Sequence, residues 1–306
     1  MSFGEAVRAE MAEALPVAPH CRLALLAGLM RAAGRLHLHG RGELHVDCDL
    51  ASAAVARQLV SLLRESGATC EIRTYHERRF GRRARYQVIV GPDPRSLQVL
   101  EGAGVLGSSL APAERVPRRV VSRSCCRRTY LRGAFMASGS LTDPRAGAHL
   151  ELRTSSPESA HELAELAAEE GFPLTVHVGG RHAIAYAKRG DTIRDLLVAL
   201  GAHGSELRLE EAAVLAETRA QANRLANADA GNLRRQARAA EEQIAAIEAL
   251  GGAEELSSGL REVAELRVSY PEATLTELAE LSRPSLTRAT VAGRLRRIVE
   301  RADALE

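Results

Sequence analysis

LAGLMRAAG, residues Leu26–Gly34, returns 105 residues later as LRGAFMASG, residues Leu131–Gly139. Gly28 answers to Gly133, Ala32 to Ala137 and Gly34 to Gly139. Gly28 and Ala32 are four residues apart, as are Gly133 and Ala137, so each pair lies on one face of a helix. Small side chains there let two backbones come close, and the repeat predicts two helices packed on each other through that face. A larger residue would push them apart.

Outward from both copies the similarity continues. RLHLHGRGELHVDCD follows Gly34 and reads as a hairpin around a Gly-Arg-Gly turn; SLTDPRAGAHLELRT follows Gly139, with Asp-Pro and Gly as turn signals. Each copy then shows an amphipathic helix ending at glycine, SAAVARQLVSLLRESG and SPESAHELAELAAEEG, the second with a capping serine and a first-turn proline. Another strand pair follows, CEIRTY with RYQVIV and LTVHV with HAIAYA, and then a last helix, DPRSLQVLEGAG or DTIRDLLVALGA. This is one αββαββα unit written twice. The stretch between the copies, SSLAPAERVPRRVVSRS, carries prolines that should break any regular helix. Beyond residue 205 a proline-free segment rich in Ala, Glu, Arg and Leu predicts long helix, broken near Gly231. Three short helical patterns end the chain: GLREVAELRVSY, TLTELAELS and SLTRATVAGRLRRIVERA.

The 306 residues, 45% hydrophobic and 26% charged, fit a soluble protein of several domains. The longest apolar runs fall short of the ~20 residues that cross a bilayer, and the N-terminus lacks a basic region followed by an apolar core. A cytoplasmic, nucleoid-associated location is expected, with no membrane partner. Cysteines stand at 21, 48, 70, 125 and 126 without a C-x-x-C pair, which argues against a disulfide framework or a zinc knuckle and for reduced, buried thiols. Lys188 is the only lysine among 41 cations. Because that bias runs through the whole chain, only local arginine clusters count toward nucleic acid: RRFGRRAR at 78–85, the run from Arg115 to Arg132, and the C-terminal helix.

The duplicated unit headed by LAGLMRAAG resembles the LAGLIDADG homing-endonuclease fold, in which two such helices meet at the centre of a saddle-shaped, DNA-gripping sheet. With the motifs CCRRTYLRGAFMASGSLTDP, HLELRTSS, LGAHGSEL, NRLANADAGNL and EQIAAIEAL added, nearly the whole chain resembles the WhiA family of bacterial transcriptional regulators. That resemblance implies an α+β fold: a duplicated LAGLIDADG-like saddle, a helical linker and a small all-α helix-turn-helix domain. The expected division is 1–108 for the first unit, 109–124 for a linker, 125–218 for the second unit, 219–254 for the helical linker and 255–306 for the helix-turn-helix domain, its motif at about 274–306. The family is associated with sporulation, cell division and chromosome segregation.

In the endonucleases the acid before the final glycine of each motif binds a divalent cation, which needs anionic oxygen ligands. Those positions here are Ala33 and Ser138, and the motif's other acidic position is Arg31 in one copy and Met136 in the other. No carboxylate is available, so the resemblance implies a fold kept for shape and no enzyme activity. One other constellation bears on metals. His37, His39, His45 and Asp47 alternate along the first hairpin and could share a face as a zinc set. In the competing reading Leu36, Leu38, Leu44 and Val46 face the core and the polar partners face solvent or DNA; it is the one adopted, with no metal and no cofactor expected.

The last helix should bury Val291, Leu295 and Ile298 and leave a basic outer face, with five arginines against Glu300 between Leu286 and Arg301. In a helix-turn-helix the second helix enters the major groove N-terminus first. Thr287, Arg288 and Thr290 are the base-reading candidates; Arg294, Arg296 and Arg297, with Arg78, Arg79, Arg82 and Arg83 of the basic loop, are the phosphate candidates. Pro284 lengthens the turn, and Ala292 and Gly293 stand where the family typically carries polar residues. The partner so implied is double-stranded DNA, with other transcription factors or RNA polymerase as further partners and the oligomeric state open. Two other readings stand beside a sequence-specific regulator: a scaffold whose saddle binds a partner protein, and an active metal-dependent endonuclease.

Overall fold

The computed structural model describes residues 2–38, 44–77, 83–180 and 182–305. It forms two compact units, 1–216 and 217–306.

Unit one begins with α1 (Phe3–Met11), closed by a capping box between Ser2 and Glu5. The first repeat follows as α2 (Pro19–Ala33), β1 (Gly34–Leu38), β2 (Leu44–Leu50), α3 (Ala53–Glu65), β3 (Cys70–Glu77), β4 (Arg83–Val90) and α4 (Pro94–Gly102). The connecting stretch holds a single helical turn, α5 (Arg118–Val121), straight after Pro117. The expectation that its prolines exclude helix is corrected here: proline is compatible with the entry to a helix, where its missing N–H costs nothing. The second repeat is α6 (Ser124–Ser138), β5 (Gly139–Leu141), β6 (Leu150–Thr154), α7 (Pro157–Glu169), β7 (Thr175–Gly179), β8 (His182–Ala187) and α8 (Gly190–Leu200).

Each repeat builds one antiparallel four-stranded sheet, ordered β1-β2-β4-β3 and β5-β6-β8-β7. The α+β duplication read from the sequence is therefore present element for element. Alternation sets the faces. Leu44, Val46, Cys48, Leu50, Val88 and Val90 are buried under the helices, and Leu150, Leu152, Ala183, Ala185 and Ala187 do the same in the second sheet.

The two central helices carry the core between them. Gly28 on α2 lies against Tyr130 and Ala134 of α6; Gly133 on α6 lies against Leu25 and Leu29 of α2. A β-carbon at Gly133 would fall 2.6 Å from Leu25 O and 2.9 Å from Leu29 N, so the helices touch backbone to backbone. His20 meets Cys126 at the other contact, hence the two helices run in the same direction. Ala32 and Ala137 are half-buried and pack against the same core. Both helices end at a glycine that passes straight into a strand, Gly34 at ψ 139° and Gly139 at ψ 148°.

A long helix, α9 (His203–Ala249), runs unbroken for 47 residues, about 70 Å at 1.5 Å per residue. The break expected near Gly231 does not occur. One glycine costs only about 1 kcal/mol relative to alanine, less than the alanine, arginine and leucine around it can absorb. In unit two the end of α9 meets α10 (Ser258–Ser269), α11 (Leu275–Leu281) and α12 (Arg288–Asp303). Its core holds Ile247, Leu260, Val263, Leu278, Val291, Leu295 and Ile298.

Candidate nucleic-acid interface

Ala33 and Ser138 are the last residues of α2 and α6, one position before the glycine caps. The Ser138 hydroxyl donates to Ala134 O at 3.3 Å, inside its own helix. Neither residue offers an anionic oxygen to a cation, and the helix C-termini add carbonyl dipoles of the same sign an extra acid would bring.

Arg31, two residues before Ala33 on α2, has taken a different role. Its guanidinium pairs with Glu162 of α7 at 2.9 Å and donates to Tyr130 Oη (3.1 Å), Gly104 O (2.7 Å), Ala113 O (3.0 Å) and Glu114 O (3.3 Å). Glu162 also accepts from Val116 N at 2.6 Å. This buried pair joins the first repeat, the connecting stretch and the second repeat in one network. Burial works against the Arg31 charge, but Tyr130 and Glu162 more than offset it and hold the group above the ordinary arginine value. Burial likewise pushes the Tyr130 phenol far up, so it stays a neutral hydroxyl. The sequence shows Arg31 only as a lost acid; its partners lie 73 to 131 residues away and no local pattern announces them. A cavity of 830 Å³ opens beside it, lined by Met30, Gly34, Val46, Glu158 and His161 among others.

On the first sheet, strand register puts Arg35, His37, His45, Asp47, Asp49, Glu71, Arg73, Tyr75, Arg85 and Gln87 on the face away from the core. Leu36, Leu44 and Val46 take the opposite face, in agreement with the reading that turned them to the core, but Asp47, expected to face solvent or DNA, is buried. His37 pairs with Asp47, and its ring stacks on that of His45 with centroids 5.3 Å apart. Gln87 Nε2 donates to Asp47 at 2.9 Å. His39 lies outside the described residues, and His37, His45 and Asp47 do not gather as a metal set. Two cations of this face are paired with acids: Arg73 with Glu71 at 2.8 Å and Arg85 with Asp49 at 3.0 Å. Arg78, Arg79 and Arg82 lie outside the described residues, as does the Arg83 side chain.

Unit two presents the other surface. Thr287 is the N-cap of α12, its hydroxyl accepting from Thr290 N at 3.2 Å and lying 2.8 Å from Thr290 Oγ1. Arg288, Thr290, Arg296 and Arg297 are exposed, while Val291, Leu295 and Ile298 are fully buried. Arg294 is half-buried and leans to Glu262 of α10 at 3.6 Å. Before the turn, buried Arg267 donates to Pro271 O (3.1 Å) and Ala273 O (2.8 Å), fixing the chain that enters α11; its burial lowers its affinity for a proton. Thr274 and Glu277 then close a capping box at the start of α11.

The fold is that of a LAGLIDADG-like duplication without acids at its helix ends, joined to a helix-turn-helix domain. The chain belongs to the WhiA family. Residues 19–106 match the WhiA N-terminal LAGLIDADG-like domain, 127–219 the WhiA LAGLIDADG-like domain and 222–302 the WhiA C-terminal HTH domain. It is 36% identical to the "Probable cell division protein WhiA" of Symbiobacterium thermophilum, over 100% of this chain and 99% of that one. Its identity to the protein of the same name from Acidothermus cellulolyticus is 38%, over 99% and 94%. The crystal structure of full-length DUF199/WhiA from Thermatoga maritima superposes with a TM-score of 0.60 at 21% identity, over 99% of each chain, a likeness of fold.

Proposed function

We propose that this chain is a sequence-specific, double-stranded DNA-binding transcriptional regulator, anchored on DNA by unit two and without cleavage activity. The observation that carries the reading is α12: a capped helix with an apolar stripe buried in its own domain and Arg288, Thr290, Arg296 and Arg297 left exposed. Thr287, Arg288 and Thr290 sit at the N-terminal end, which in this motif reaches base edges. Arg296 and Arg297 grip phosphate, while Arg294 divides its charge between phosphate and Glu262. A role in cell division agrees with the names of the relatives, roles in chromosome segregation or sporulation are part of the same proposal, and a nucleoid location follows from DNA binding. The domain division given above from the sequence is part of the same proposal.

The test is fluorescence anisotropy on promoter and scrambled duplexes across a salt series. Arg296→Ala with Arg297→Ala should lower the log–log salt slope by about 0.9 for each phosphate contact removed. Arg288→Ala should lower discrimination between the duplexes, a good base contact contributing ~1–3 kcal/mol. Residues 1–254 binding promoter DNA as tightly as the full chain would refute the anchor. A second reading concerns the first sheet alone, whose outer face is balanced in charge: it faces a protein rather than DNA. Plasmid nicking with Mg²⁺ or Mn²⁺ tests the endonuclease reading, and no cleavage is expected.

A further inference from the structure

Among the described residues, one cluster of metal-ligating atoms is found. His20, Cys21, Cys125 and Cys126 each bring a donor atom, and all four atoms lie within 4.8 Å of one another. The duplication assembles them. His20 and Cys21 are the second and third residues of α2; Cys125 and Cys126 are the second and third of α6, at the same 105-residue offset as Gly28 and Gly133. Since the helices are parallel and touch through their glycines, their first turns must also meet. His20 Nδ1 lies 3.2 Å from Cys126 Sγ and 3.3 Å from Cys21 Sγ.

We propose that His20, Cys21, Cys125 and Cys126 form a Cys₃His site for a structural zinc ion that ties together the first turns of the two central helices, one from each repeat. Three sulfurs and one imidazole nitrogen are a standard structural donor set, and a tetrahedron with Zn–S of ~2.3 Å and Zn–N of ~2.0–2.1 Å sets its donor atoms roughly 3.5–3.8 Å apart. The two His20 separations are within a few tenths of an ångström of that figure, and all four donor atoms lie within 4.8 Å of one another, a difference side-chain rotation covers. Cys21 and Cys126 are buried while Cys125 is exposed, which leaves a route of entry.

Electrostatics favour a metal thiolate at this place. Two parallel helix N-termini converge on the sulfurs, each carrying partial positive charge, and neither Ala18 nor Arg123 caps its helix with a side chain. On binding, Zn²⁺ displaces the thiol protons to solvent, so its affinity rises with pH. The ends of α2 and α6 that carry Ala33 and Ser138 are about 20 Å away along the helices, so this ion would be structural and would not stand in for the lost cations.

The test uses the untagged full chain, purified under reducing conditions. Elemental analysis should find one zinc per chain, and the metal-free protein titrated with Co²⁺ should show intense tetrahedral bands with sulfur-to-cobalt charge transfer. Cys125→Ser, at an exposed position that leaves the fold intact, should weaken the charge-transfer band and lower affinity more than tenfold. His20→Gln should lower affinity while keeping the sulfur band, and Cys70→Ser, outside the cluster, should change neither. Zinc should raise the melting temperature of the wild type and not of Cys125→Ser. Failure to bind either metal stoichiometrically, Co²⁺ binding unchanged in Cys125→Ser, or metal-free protein holding a Cys21–Cys126 disulfide would each overturn the proposal.

Discussion

Alanine placed at Gly133 meets the backbone of the neighbouring helix. Its β-carbon would stand 2.6 Å from Leu25 O, roughly 0.9 Å inside the ~3.5–4.0 Å optimum for carbon contacts. The obstructing atoms are main-chain, so no rotamer can move aside, and α2 and α6 must part. A gap of 0.5–1 Å already forfeits a quarter to a half of each contact along the seam. Overpacking of this kind costs ~1–3 kcal/mol, and the upper part of that range applies because alanine's better helix propensity returns only about 1 kcal/mol. The net expectation is a loss of about 2 kcal/mol, or 4–8 °C in the melting of a unit of this size, roughly 2–4 °C per kcal/mol. Gly28→Ala, aimed at Tyr130 and Ala134, should behave alike. The same chemical change at Gly231, where a β-carbon meets nothing within 4 Å, should stabilise the long helix by up to about 1 kcal/mol. Differential scanning calorimetry of the three variants measures this directly. If Gly133→Ala and Gly28→Ala melt at or above the wild type, the helices do not meet as described.

Glu162→Ala leaves a buried guanidinium without its counter-charge and should cost ~3–5 kcal/mol, whereas Glu65→Ala, which breaks the half-exposed Arg22–Glu65 pair, should cost under about 1 kcal/mol; urea denaturation distinguishes them, and equal effects would remove Arg31 from its central place. Asp93 caps α4 by accepting from Ser96 Oγ, Thr69 Oγ1 and the amides of Ser96 and Arg95, which lowers its carboxyl to about 2 from an ordinary 3.8. Its contribution is thus complete above the ordinary value and lost as pH falls through about 2; an NMR titration with a midpoint near 4 would contradict the cap. Ala33→Asp with Ser138→Asp puts two carboxylates at helix C-termini, so the double variant should melt lower than the wild type and recover in part with Mg²⁺; calorimetry with and without the ion checks it.

What the sequence discloses is what depends on period and on residue size. The paired glycines, the alternation of Leu44, Val46 and Cys48, and the stripe Val291–Leu295–Ile298 are local patterns, and they place the duplicated sheets and the last helix correctly. The single-turn α5 is too short to have a period, and Gly231 misleads because helix formation sums over many residues. Arg31 and the cysteines are hidden for another reason: their meaning lies in partners that only packing brings near. Even the expectation of buried thiols holds only for Cys21, Cys48 and Cys126, since Cys70 is half-buried and Cys125 exposed.

The Arg31 network also fixes a cation at a position where the LAGLIDADG motif carries an acid. Restoring acids at 33 and 138 would still leave, at the motif's other acidic position, a cation on which Tyr130, Glu162 and three backbone carbonyls depend. Exchanging it for an acid first would set two carboxylates against each other in the interior; exchanging Glu162 first would strand the arginine. Either single exchange would leave a buried charge without its partner, so the network acts as a ratchet that holds position 31 to a cation.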